Sequence, residues 1–144
     1  MKARDIMTST LECVTREDSV QEAARRMRDS DVGALPVVDD RQSMRLIGVI
    51  TDRDIAIRHV AGDDSAKCSV GDHMSSDRMF TASPDDDVDR VMETMKAEQV
   101  RRVPVCEGDR LVGIIAQADI ATSHPSDSDT GEVVEKISEP GNRR

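Results

Sequence analysis

Thr51, Arg53 and Asp54 stand in the stretch Gly48-Val49-Ile50-Thr51-Asp52-Arg53-Asp54, which ends an apolar run, Leu46 to Ile50, that reads as a buried strand. Thr and Asp three residues apart form the S/T-x-x-D/E pattern of a capping box. In such a box each side chain satisfies an orphan N–H of a helix's first turn. A helix begun near Thr51 turns free N–H groups and the positive end of its dipole outward, which suits an anion. The available chemistry is a seat for phosphate, built from the Thr51 hydroxyl, those N–H groups and Arg53. Beside it Asp54 offers a carboxylate able to accept from a diol. Gly48 lets another group approach the backbone closely. Read structurally, Thr51 and Asp54 cap a helix and do no more, and both readings stand at this point.

The stretch has a second copy. Gly113-Ile114-Ile115-Ala116-Gln117-Ala118-Asp119-Ile120-Ala121 repeats Gly48 to Ala56, returning the glycine, the apolar pair, the aspartate and the Ile-Ala after it. Thr51 becomes Ala116 and Arg53 becomes Ala118. An internal repeat of this kind sets the reading of the whole chain.

The elements that must position these motifs also recur. Arg4-Asp5-Ile6-Met7-Thr8 and Val70-Gly71-Asp72-His73-Met74-Ser75 each read as a short turn of helix feeding an extended segment. Thr15-Arg16-Glu17-Asp18 and Ser83-Pro84-Asp85-Asp86 read as capping boxes, with Pro84 at the favoured first helical position. Behind them Val20, Ala23, Ala24 and Met27, and Val88, Val91, Met92 and Met95, have the spacing of amphipathic helices. The run Asp85-Asp86-Asp87 reads as dipole-favoured carboxylates of a first turn rather than a metal cluster. Short strands follow over Val32–Val38 and Val100–Cys106, with Pro36 and Pro104 marking an edge or a bulge. Their hairpin partners are Arg45–Ile50 and Arg110–Ile115. Each half is thus extended–helix–strand–strand–helix, residues 1–60 and 70–122, with 61–69 a polar linker. Residues 123–144 form a polar tail expected to be mobile, with one helical turn over Glu132–Ile137. Neither half is large enough to bury a good core alone.

Bulk composition excludes several functions. The chain has 144 residues, a net charge of −9 and 34% charged residues, against roughly 25% in a typical soluble protein. That balance argues against a general binder of nucleic acid or anionic membranes. Phe80 is the only aromatic residue apart from histidine, so the stacking platform of single-strand binders is missing. No apolar run reaches the length of a membrane span and no secretory segment is seen, so a cytoplasmic protein is expected. Cys13, Cys68 and Cys106 are widely spaced and read as reduced, mostly buried thiols. His59, His73 and His124 show no metal-ligand spacing, and no nucleophile motif is recognisable, so an enzyme is not expected.

Taken together and twice over, Arg-Asp-Ile-Met-Thr, Gly-Ala-Leu-Pro-Val-Val, Gly-Val-Ile-Thr-Asp-Arg-Asp-Ile, Val-Arg-Arg-Val-Pro-Val and Leu-Val-Gly-Ile-Ile resemble the CBS-domain pair, or Bateman module, over about Ala3 to Ala121. The resemblance implies an α/β (α+β) fold of two tandem repeats with pseudo-two-fold symmetry. It implies a bound adenine nucleotide or relative, such as AMP, ADP, ATP, NAD or S-adenosylmethionine, with no obligatory cofactor. Carried over by position, site one takes Thr51, Arg53 and Asp54 with Met79, Phe80, Val100, Arg101 and Arg102. Site two takes Ile114 and Asp119 with Leu11, Glu12, Val32, Gly33 and Ala34, and is the weaker.

Arg53, Arg101 and Arg102 suit phosphate through charge-assisted bonds, whereas site two has Ala116, Ala118, Gly33 and Ala34 at the matching places. For Arg101 and Arg102 the plain alternative is a solvated edge paired with local acids. The function expected is a non-catalytic sensor whose occupancy is read in trans by a protein target, as a homodimer. The alternative is an interaction module with a vestigial pocket.

Overall fold

The computed structural model describes residues 1–9, 12–62, 68–76 and 79–123. The described chain forms two compact units that do not follow chain order. One comprises Glu12–Met79 with Asp109–Leu111, the other Met1–Leu11, Phe80–Gly108 and Val112–Arg144.

The first unit is built on β1 (Val14–Thr15), α2 (Val20–Ser30), β2 (Ala34–Val38), β3 (Leu46–Thr51), α3 (Asp52–Asp54), a π-helical turn (Ile55–Val60) and α4 (Val70–His73). The second holds α1 (Ala3–Ile6), α5 (Val88–Glu98), β4 (Arg102–Glu107), most of β5 (Arg110–Ala116) and α6 (Gln117–Ser123). In the first unit β2 is the middle strand, parallel to β1 and antiparallel to β3. Proline is tolerated in that strand because β1 pairs only with Val37 and Val38, leaving Pro36 where β2 is still an edge. The register shift falls one residue later, between Val37 and Val38. In the second unit β4 pairs with β5, and Ala82 bridges Val105 on β4.

Each unit has its own aliphatic core. Val14, Ala23, Met27, Leu35, Val37, Ile50 and Val70 form the first. Val88, Val91, Met92, Met95, Val103, Val105, Ile115 and Ile120 form the second, together with Ala3 and Ala82. The periodicity of α5 is therefore met at all four apolar positions, whereas on α2 Ala24 is exposed and the buried face is Val20, Ala23 and Met27.

Two helix starts differ from expectation. The cap of α2 is Ser19, whose Oγ accepts from Glu22 N–H at 3.0 Å. Thr15 and Asp18 still pair, Thr15 N–H donating to Asp18 Oδ2 at 2.9 Å, but they close the turn before the helix. Likewise α5 begins after Asp87, and Ser83 N–H donates to Asp86 Oδ2 at 2.9 Å in a preceding turn that contains Pro84. The acidic run is spent locally: Asp86 closes that turn, Asp87 precedes the helix and Asp85 pairs with Arg4.

The two lead-in segments sit with the other repeat's strands. Thr8 N–H donates to Ile114 O at 2.9 Å, and Ile114 N–H donates to Thr8 O at 3.1 Å. Val49 and Ser75 exchange the equivalent bonds at 2.9 and 2.8 Å. The approach that Gly48 permits is therefore made by backbone: a Cβ there would lie 2.8 Å from Ser75 O. At Gly113 the neighbour is a side chain instead, Met7 packing over the glycine. Leu11, the 63–67 stretch of the linker, His124 and the expected turn at Glu132–Ile137 lie outside the described residues.

Candidate functional site

The chemistry-bearing residues of the first unit are held by the end of β3. Ile50 is buried in the core, which fixes the strand, and Thr51 follows with extended backbone, φ −113° and ψ 161°. The capping box is complete in both directions. Thr51 Oγ1 accepts from Asp54 N–H at 3.0 Å, and Asp54 Oδ2 accepts from Thr51 N–H at 3.0 Å. This leaves the Thr51 hydroxyl its proton to donate. The other carboxylate oxygen, Asp54 Oδ1, has Arg58 Nε at 3.8 Å, a half-exposed partner one turn on. Asp52 N–H donates to Gly33 O at 2.8 Å, and this bond ties the start of β2 to the box. A side chain at Gly33 would meet the Asp52 carboxylate at 3.1 Å.

The second unit repeats this geometry with fewer polar groups. Asp119 Oδ2 accepts from Ala116 N–H at 2.8 Å, but Ala116 has no hydroxyl to return a bond. Gln117 N–H donates to Arg101 O at 2.9 Å, the counterpart of Asp52 on Gly33. Gln117 also carries a buried side-chain oxygen with no hydrogen-bond partner among the described residues. It was not among the expected residues. The available signal was its place in the repeat, where it aligns with Asp52.

The structure thus brings Thr51, Asp52, Asp54 and Gly33 together in one unit, and Ala116, Gln117, Asp119 and Arg101 together in the other. Val32 and Ala34 flank Gly33 and are half-buried, and Val32 packs on the first core. Val100 packs on the second core, and Ile114 is bound to Thr8. Met79 closes the first unit in sequence and Phe80 opens a segment of the second, both half-buried. Glu12 is engaged by α2, with Arg26 Nη1 2.8 Å from its carboxylate. Arg53, Arg101 and Arg102 are exposed, and none makes an ion pair among the described residues.

Of the thiols, Cys13 and Cys106 are buried and Cys68 is exposed. Burial pushes the Cys13 thiol up, outweighing the guanidinium of Arg41, whose Nη1 lies 4.0 Å from Sγ.

The chain is similar to known proteins over most of its length. The chain is 36% identical over 142 residues to the uncharacterised protein YlbB of Bacillus subtilis, covering 99% of this chain and 95% of that protein. It is 37% identical over 123 residues to hypoxic response protein 1 of Mycobacterium tuberculosis, covering 85% of each. A crystal structure of hypoxic response protein I with two coordinated zinc ions matches 87% of this chain and all of the other, at a TM-score of 0.74 and 38% identity. The CBS domain pair of protein MJ0100, in complex with 5′-methylthioadenosine and S-adenosyl-L-methionine, matches 88% of this chain and 98% of the other, at a TM-score of 0.72 and 28% identity. The family model described as CBS domain matches residues 3–59 and again 70–126, so the chain belongs to the CBS-domain family and carries two such domains.

Proposed function

We propose that this chain is a non-catalytic regulatory module that binds an adenine nucleotide or related adenosyl ligand and transmits its occupancy to a partner protein. The observation that carries the reading is the complete Thr51–Asp54 box, which leaves the Thr51 hydroxyl a proton to donate, beside the exposed Arg53 and an Asp54 oxygen held only by the half-exposed Arg58 at 3.8 Å. The adenosyl ligands of the MJ0100 pair support the ligand class. In this proposal Asp54 holds the ribose hydroxyls and Thr51 and Arg53 hold phosphate. Without hydroxyl or arginine at Ala116 and Ala118, the Asp119 motif takes at most an uncharged nucleoside-like group.

The proposed assembly is a homodimer, supported by Ile57 and Val60, which are 49% and 74% exposed on the π-helical turn. The proposed compartment is the cytoplasm. Among the described residues no helix is long and apolar enough to cross a membrane.

The test is a thermal-shift titration with AMP, ADP, ATP, NAD and S-adenosylmethionine, run beside Asp54→Ala. A ligand at about 100 times its Kd stabilises the native state by about 2.7 kcal/mol, which raises Tm by roughly 5–10 °C in a chain of this size. Asp54→Ala lowers the starting Tm through the lost cap, so the readout is the ligand-induced increment, expected to vanish. No increment with any of the five at millimolar concentration refutes the sensor reading for these ligands. It leaves the interaction module with a vestigial pocket, a reading that the missing hydroxyl at Ala116 favours for the second motif.

A further inference from the structure

His59 and His73 have no sequence spacing that suggests joint action, yet the fold brings Nδ1 of His59 to 3.3 Å from Nε2 of His73. The ring planes cross at 72° with centroids 5.0 Å apart. His73 ends α4 and is only 3% exposed, while His59 is half-buried. Both lie in the first unit, and neither takes part in the hydrogen bonds of the Thr51–Asp54 box, which precedes the turn that carries His59. His59 rides on the π-helical turn Ile55–Val60, which closes with Ala61 N–H donating to Ala56 O at 3.0 Å. Such turns are rare and are frequently found at functional sites.

Two arrangements account for a pair of imidazole nitrogens this close. One is an N–H···N hydrogen bond, for which 3.3 Å is long. The other is convergence of both lone pairs on one point. With metal–nitrogen bonds of about 2.0–2.1 Å, two corners of a tetrahedron lie about 3.3–3.4 Å apart, and the ring centres about 5.2 Å apart. The observed 3.3 and 5.0 Å match that construction at both the nitrogens and the rings.

We propose that His59 and His73 form a two-imidazole site for a divalent first-row transition metal of the kind imidazole suits: zinc, copper or nickel. Among the described residues no group of three or more His, Cys, Asp or Glu surrounds a common point, so the described chain supplies two ligands. With two imidazole ligands the expected affinity is modest. The metal would clamp the π-helical turn to α4.

The experiment uses the tag-free full chain, stripped with chelator. Zinc is titrated in competition with a chromophoric chelator, and cobalt is followed by its visible absorption. One equivalent per chain is expected, with Kd raised at least tenfold in His59→Ala and in His59→Gln. These variants are chosen because His59 is half-buried and its removal spares the core, and circular dichroism checks that they fold. No saturable binding by the wild type at micromolar metal overturns the proposal. So does binding that is undiminished in both His59 variants, which would place the metal elsewhere.

Discussion

Adding one methyl group at Gly48 tests whether the glycine of each motif serves backbone packing or ligand access. In Gly48→Ala the new Cβ would lie 2.8 Å from Ser75 O and 3.2 Å from Met74 Sδ. The carbonyl cannot rotate away, because Ser75 is fixed by its two bonds to Val49 at 2.9 and 2.8 Å. Overpacking of this kind costs about 1–3 kcal/mol. Against it stands the reduced freedom of the unfolded chain, worth about 0.4–1 kcal/mol in alanine's favour. The steric cost wins, and a net loss near 1–2 kcal/mol lowers Tm by roughly 3–8 °C.

Gly113→Ala is the control. Its Cβ would meet Met7 Sδ at 2.5 Å, Cγ at 2.8 Å and Cβ at 3.1 Å; rotation of the flexible side chain relieves the first two, and the third asks only a small shift. Its net change should fall within about 0.5 kcal/mol of zero, as repacking around methionine is inexpensive. Thermal and urea unfolding followed by far-ultraviolet circular dichroism give both values. A Gly48→Ala protein as stable as the parent, or a Gly113→Ala protein that loses more, refutes the argument.

Two further outcomes follow from the same contacts. Ser19→Ala removes the acceptor of the Glu22 N–H and should cost about 1 kcal/mol, whereas Thr15→Ala keeps its backbone bond to Asp18 and should cost less; urea midpoints compare the two. Burial raises the Cys13 thiol, so less of it is thiolate at a given pH, and iodoacetamide with mass mapping should label exposed Cys68 before Cys13. Labelling of Cys13 first would show that Arg41 outweighs burial.

What could be read from the sequence was what local spacing decides. The Thr51–Asp54 box and its Asp119 counterpart rest on residues three apart, and both formed. The cap of α2 was harder, because Thr15…Asp18 and Ser19…Glu22 follow one another with the same spacing and both make their bonds; only the path of the chain decides which one opens the helix. The apolar face of α5 was legible throughout, while Ala24 on α2 is small enough to sit exposed at little cost. The His59–His73 contact and the pairing of Thr8 with Ile114 were not legible, since each depends on a fold that no short-range pattern encodes.

That last pairing sets an order of events during synthesis. Thr8 finds its hydrogen-bond partner in Ile114, and Lys2 bridges Asp87. At about 5–20 residues per second, the hundred-odd residues between Thr8 and Ile114 take roughly 5–20 s to emerge. The first segment made in this chain must therefore wait for nearly the last strand, while the unit begun at Glu12 can close earlier on its own lead-in at Ser75. A chain paused once Met79 has emerged would display a closed first core, preceded by an N-terminal segment whose Thr8 still lacks Ile114.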